Sequence, residues 1–489
     1  MGSASSGGPG ATGSGRRSAG VDEAGVDEAL VGARGVPFWL DTELRPDRRA
    51  ALDGDISVDL AIVGGGFTGL WTAVLAAEQY PAWRITLLDG ADLGWAASGR
   101  NGGFCSSSLT HGLGNGLARW PDELATLERM GLENLDAIEQ TIIDHGIDCS
   151  FSRAGEVTMA VADWQLTELA ELYQAAREAG VGEHLDLLDA DAARGLVDSP
   201  TYLGGLRDTR GTATLDPAGL VWGLAEVAER AGVSVHERSR VLALADEGDR
   251  VRLETATGVV RARRVVLATN AFPSLLHRVR PYVVPVWDHV LATEPLSADQ
   301  RAAIGWAGNE GLSDAGNQFH YYRLTADGRI IWGGYDALYY FGGDLSARRM
   351  RNHATERLLV QHLYETFPQL AGLRISHTWG GAIDTCTRFT TFWQRACGTK
   401  VCAVQGYTGL GVGASRFAAQ VALELLDHRD TPRTRLEMVR TRPLPFPPEP
   451  FRWAGIELTR RSIAAADAGR GRRNAWLRTL DRLGLGFDS

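Results

Sequence analysis

A short apolar run at 58–63 (Val-Asp-Leu-Ala-Ile-Val) leads directly into Gly64, Gly66 and Gly69, spaced G-x-G-x-x-G, and no other feature restricts the fold of this chain as strongly. The three glycines of such a turn serve different ends, allowing a tight bend, close approach of the backbone to a pyrophosphate, and close packing of helix on strand. A helical pattern follows at 70–79, then a second strand at 84–88 that ends on Asp89, 20 residues after Gly69. Strand, turn, helix and strand make a βαβ unit, and a carboxylate at the end of its second strand can bind ribose hydroxyls. The segment therefore reads as a dinucleotide site. Gly64, Gly66, Phe67, Thr68 and Gly69 meet the phosphates under the positive end of the helix dipole, with Asp89 at the ribose. A glycine turn that only joins two elements has no use for that acid.

The chain has 489 residues, which predicts two to four domains. Its 44% hydrophobic and 22% charged residues fit a soluble globular protein. A net charge of −10 argues against nucleic acid and anionic membranes and leaves small molecules as the expected partners. Five cysteines are too few for a disulfide framework, and none has zinc-finger spacing. No run of 18 apolar residues is present, so no integral membrane segment is expected, and the cytoplasm is the expected location. Glycine is in excess, at 59 residues. Some of it sits in the first twenty residues, with seven glycines and five serines, and 1–35 reads as a disordered extension.

The remaining pattern divides into two alternating kinds. Strands at 233–241, 251–254 and 264–267 and a helix at 214–232, begun by Asp216-Pro217, continue the nucleotide-binding pattern. A strand at 155–161 and a helix at 164–179, then strands rich in Val, Tyr and Trp from 280 to 380, form the other. The simplest arrangement is an α/β nucleotide domain in three segments, 36–150, 206–275 and 381–430, with a β-rich domain inserted as 151–205 and 276–380. Residues 431–489 are a tail, proline-rich at 445–450, with a final helix carrying Trp476, Leu477, Leu480 and Leu483 on one side. That apolar side is expected to dock on the protein's own core or across a homo-oligomer; the eight arginines of 445–489 make a membrane-surface helix the alternative.

Three further segments bear on which dinucleotide is bound. Ser98, Gly99, Arg100, Asn101, Gly102 and Gly103 lie just past Asp89, where the longer body of a flavin needs backbone amides and a cation; a flexible loop carrying an arginine is the plainer reading. The strand at 265–271 ends in small residues that include Thr269 and Asn270. A strand at 401–404 enters Gly406, Tyr407, Thr408, Gly409, Leu410, Gly411 and Val412, followed by a helix through 426. A second glycine-rich helix start places amides and a dipole where negative charge develops on a reduced isoalloxazine. A nicotinamide-dependent dehydrogenase would share the first motif and have no use for the later ones.

Together these motifs, in this order over about 37–430, resemble the D-amino acid oxidase-like superfamily of FAD-dependent oxidoreductases, which includes glycine oxidase, sarcosine oxidase, γ-glutamylputrescine oxidase and aminophosphonate oxidoreductases. The Gly-Phe-Thr-Gly-Leu-Trp-Thr-Ala run and the Arg-Asn-Gly-Gly loop are most similar to the last two. The resemblance implies FAD in a Rossmann-like domain, an inserted α+β substrate domain, and oxidation of a C–N bond of a small amine or amino acid by hydride transfer to flavin N5, followed by imine hydrolysis. It also implies backbone contacts from Val241 to adenine.

On the substrate side the resemblance places Arg323, with Tyr322 and His320, on the strand that directs an arginine to a substrate carboxylate; a strand arginine without that role is the alternative. Sarcosine-oxidase-like members hold a lysine above the flavin that promotes oxygen reduction. The matching position here is Trp332, and Lys400, the only lysine, lies elsewhere, so oxygen and another acceptor both stay open. Cys386 stands where those enzymes attach flavin covalently, although most cysteines in such strands are buried small hydrophobes. His111 is a further candidate for the flavin face. A flavin-bearing regulatory protein without turnover is the remaining alternative.

Overall fold

The computed structural model describes residues 23–486. Its first sheet grows from the βαβ opening. Ile56–Val63 pairs in parallel with Ile85–Leu88 on one side and with Val259–Leu267 on the other. Ser234–His236 and Val401–Gln405 extend the parallel array outward, and Phe392–Ala396 closes one edge antiparallel. The central strand ends in four buried residues, Leu60 to Val63, as a parallel sheet covered on both faces requires. Helices Phe67–Gln79, Gly411–Leu426 and Pro217–Arg230 lie on it, the last capped by the Asp216 carboxylate, which accepts from the Ala218 and Gly219 amides at 2.9 and 3.1 Å.

The second sheet has eight strands in the order Ile375–Thr385, Val284–Thr293, Ile330–Gly334, His320–Leu324, Gly311–Asp314, Glu156–Ala160, Gly204–Asp208 and Leu185–Leu188. All its pairings are antiparallel except Gly311–Asp314 with Glu156–Ala160. One face packs on helix His353–Thr366 through a core that includes Tyr322, Trp332, Leu359 and Leu363. The fold is thus α/β, a Rossmann-like domain with an inserted β-rich α+β domain.

Three expectations need correction. The boundaries at 205/206 and 380/381 each cut a strand of the second sheet, Gly204–Asp208 and Ile375–Thr385, because continuous strand pairing carries the chain past the point where its composition changes. Within the predicted disordered extension 1–35, residues 23–35 are ordered: Glu23–Leu30 is a helix that buries Val26 and Ala29 against the second core, Asp27 pairs with Arg357, and the Arg34 amide donates to Ser376 O at 2.8 Å. The part of that extension at 1–22 lies outside the described residues. The strand expected at 233–241 ends at His236, after which the chain turns through Arg238 with a left-handed φ of 51°. The tail holds the expected last helix, Ala475–Arg482, and a longer one before it, Phe451–Ala468. Among the described residues no helix is long and apolar enough to cross a membrane.

Candidate functional site

The glycine turn is as tight as the sequence demands. Gly64 takes a φ of 112°, and a Cβ on Gly69 would lie 1.8 Å from Gly64 O, so neither position accepts a side chain without moving backbone. The Asp89 carboxylate reaches across the turn and accepts from Gly65 N at 2.6 Å and Ala91 N at 2.7 Å; burial raises it to about 6. The helix Phe67–Gln79 starts at Gly66 with no side-chain cap of its own, and Ser98 Oγ accepts from Phe67 N at 3.0 Å. Thr68 Oγ1 lies 2.6 Å from Tyr407 OH, which ties this helix start to the second one.

That second start, Gly411–Leu426, also lacks a side-chain cap. In the turn ahead of it the buried Asp384 carboxylate accepts from Gly406 N at 2.6 Å and Tyr407 N at 3.2 Å, and burial raises it to about 7. Both helix starts therefore present first-turn amides to one space. It is a cavity of about 1150 Å³ running between the two sheets.

Gly66, Phe67, Thr68, Ser98, Arg100, Asn101 and Gly102 line one end of it. Asn270, Cys386 and the run Tyr407, Thr408, Gly409, Leu410, Gly411 and Val412 line the same end. Gly64, Gly69, Asp89, Gly99, Gly103, Thr269 and Gly406 do not line it. Thr269 Oγ1 is buried with no hydrogen-bond partner among the described residues. Val241 packs its side chain among Val58 and Leu88 rather than into the cavity. Arg100 spends its guanidinium on Trp95 O at 2.6 Å and Gly380 O at 3.0 Å, so it fastens the loop to the second domain; burial lowers it to about 10. Asn101 closes the loop on itself, donating to Ala97 O and Ser98 O and accepting from Gly103 N.

The substrate side is corrected more heavily. Tyr322 and Trp332 stack at 4.4 Å on the face of the second sheet away from the cavity, and Tyr322 OH lies 2.8 Å from Tyr202 OH. His320 shares that side, 2.9 Å from His362 Nδ1, and burial holds its imidazole well below the usual histidine range. Arg323 is on the other face but buried, 5.1 Å over the Trp39 ring and 3.5 Å from Gly103 O, and does not line the cavity. The residue of this strand that does is Tyr321, whose hydroxyl donates to Asp288 at 2.5 Å and whose ring packs edge-on to Phe104. Burial raises Asp288 to about 6. Strand alternation could have separated Tyr321 from Tyr322, but it could not say which face the cavity occupies.

His111, at a φ of 60°, also lines the cavity beside Phe389, and burial lowers it to about 4, so it is a neutral imidazole at pH 7. Cys386 Sγ is 3.2 Å from Thr390 O, packed with Val279 and Phe392, and burial pushes its thiol up. Lys400 pairs with Asp246 at 3.0 Å, on the outer hairpin of the first sheet.

Residues 59–425 match the family described as FAD dependent oxidoreductase (DAO). This chain belongs to that family. It is similar to a γ-glutamylputrescine oxidoreductase of Escherichia coli, 33% identical over 385 residues that cover 77% of this chain and 85% of that one. A probable oxidoreductase of Haemophilus influenzae is 28% identical, over 75% of this chain and 82% of its own. The fold is similar to that of glycine oxidase from Geobacillus kaustophilus, with a TM-score of 0.65 at 18% identity, covering 79% of this chain and 99% of that one. FAD is the cofactor of this family, and the residues present fit it: a glycine turn that brings backbone to the cavity without side chains, and two helix starts on one space that lack side-chain caps of their own.

Proposed function

We propose that this enzyme oxidises a C–N bond of a small amine or amino acid. The observation that carries the reading is the second wall of the cavity. Opposite the two helix starts stands the inserted sheet, with Tyr321, Asp288 and Glu156 facing the space. Its carboxyl groups can accept hydrogen bonds that an amine donates and an anionic group cannot. Similarity to a γ-glutamylputrescine oxidoreductase supports the same class.

FAD, when bound, would supply the two-electron acceptor for hydride from the carbon beside the amine, and water would hydrolyse the resulting imine. The protein's part is to hold and orient. First-turn amides of Phe67–Gln79 and Gly411–Leu426 would hold the cofactor and stabilise negative charge on it. Tyr321, fixed by Asp288, and Phe104 form the surface against which substrate is positioned. Neutral His111 places no competing cation there.

The test is a purified yellow protein mixed anaerobically with N-methyl amino acids, γ-glutamyl polyamines and aminophosphonates. Bleaching of the flavin band by one of these groups is expected; a flavin that stays oxidised with all of them would falsify the reading. With Lys400 engaged by Asp246 and Trp332 buried behind the sheet, slow reoxidation by oxygen is expected in the same apparatus.

A further inference from the structure

The family match ends at 425, yet the cavity wall does not. Helix Phe451–Ala468 presents Arg452, Gly455, Ile456, Thr459, Arg460 and Ile463 to the cavity, a stripe at helical spacing. Trp476 and Leu480 of helix Ala475–Arg482 complete it. Trp476 Nε1 donates to Thr459 Oγ1 at 3.0 Å, joining the two helices.

This pair is strapped across the inserted domain. Asp467 accepts from Asn317 Nδ2 at 2.7 Å and Gln318 N at 2.8 Å. Glu449 accepts from Tyr339 OH at 2.6 Å and Gly342 N at 3.1 Å, and Arg119 donates to Gly484 O at 2.7 Å. Two of these ties reach loops of the inserted domain and the third reaches helix Leu113–Arg119 of the first, so the inner face of the pair is a fixed wall rather than a trailing end. Gly455 stands out in it. A Cβ built there meets nothing within 4 Å, and the residue lines the cavity, so the helix leaves a gap where most side chains would fit.

We infer that the C-terminal helix pair is a specificity cap: it covers the substrate end of the cavity, and the gap at Gly455, on a lining shared with Ile456, Ile463 and Trp476, admits the distal part of a long, partly apolar amine. This rests on the amine reading and adds which amines are accepted. A short substrate reaches the cofactor without using the gap; a long one needs it.

The experiment uses the FAD-loaded full chain. Gly455→Leu fills the gap at a helical position where replacing glycine favours the helix, so the variant is expected to fold. Anaerobic bleaching is followed with N-alkylglycines from N-methyl to N-hexyl and with diaminoalkanes of three to six carbons. The expected result is a fall of at least tenfold in the ratio of long-chain to short-chain bleaching rates; a ratio within twofold of the unsubstituted enzyme overturns the inference. Separately, Asp467→Ala releases one strap, and iodide quenching of the bound flavin's fluorescence is expected to at least double; an unchanged quenching constant overturns the cover. If no amine bleaches the unsubstituted enzyme while quenching rises in Asp467→Ala, the amine reading fails and the cap stands.

Discussion

Gly69 shows how much one missing side chain can decide. Its Cβ would sit 1.8 Å from Gly64 O, so Gly69→Ala must push the helix from the strand; a loss of about 1–3 kcal/mol by urea unfolding is expected, with loss of bound FAD. This demand was legible in the sequence because it is local. The demand on Tyr321 was not, since both faces of its strand are covered by protein and alternation alone leaves the facing undecided. Asp384 was also missed: its partners are backbone amides 22 and 23 residues away, which no motif reports. Burial raises it to about 7, above its unfolded value of 3.8. A carboxyl whose folded pKa is raised contributes stability that is fully present below pH 4 and lost as pH rises through 7. Unfolding free energy is therefore expected to fall across that window, by at most about 1.4 kcal/mol per pH unit from this group, and Asp384→Asn to flatten the fall. Asp89 and Asp288, each raised to about 6, act in the same direction up to that pH. A slope equal in the two proteins would assign the effect elsewhere.

At the scale of elements, the two helix starts cooperate because Thr68 and Tyr407 join them at 2.6 Å. Tyr407→Phe removes that bond with little change of shape and is expected to cost about 1 kcal/mol. In a double-mutant cycle with Thr68→Val, most of that loss should appear as coupling between the two positions, whereas additive effects would mean the starts are independent. Both glycine-rich starts were readable from sequence, since each is a strand, a turn and a helix in succession. The helix Glu23–Leu30 was not: its glycine and its acidic repeats suggest disorder, and it packs on helix His353–Thr366 and strand Ile375–Thr385, more than three hundred positions later. Helix Phe451–Ala468 escaped for a similar reason, because its inner stripe mixes Arg, Thr and Gly with Ile and reads as amphipathic only once the cavity it faces is known.

For the molecule as a whole, a cofactor held in the space between the two sheets would bind the native state alone. FAD at a hundred times its dissociation constant is expected to add roughly 2.7 kcal/mol to the stability of the stripped protein, seen as a rise in melting temperature. With Cys386 packed and its thiol pushed up, acid precipitation is expected to leave all the yellow colour in the supernatant; colour in the pellet would establish a covalent link. The interleaving of the sheets has a consequence for biosynthesis. The strand at Ile56–Val63 lies beside Val259–Leu267, which lies beside Val401–Gln405, so the nascent chain cannot finish its nucleotide-binding sheet until nearly all of it has left the ribosome. At translation rates of about 5–20 residues per second, the first glycine turn waits roughly 20–70 seconds for its last neighbour. Throughout that interval the apolar strand behind it is a client for chaperones, and flavin can be captured only at the end.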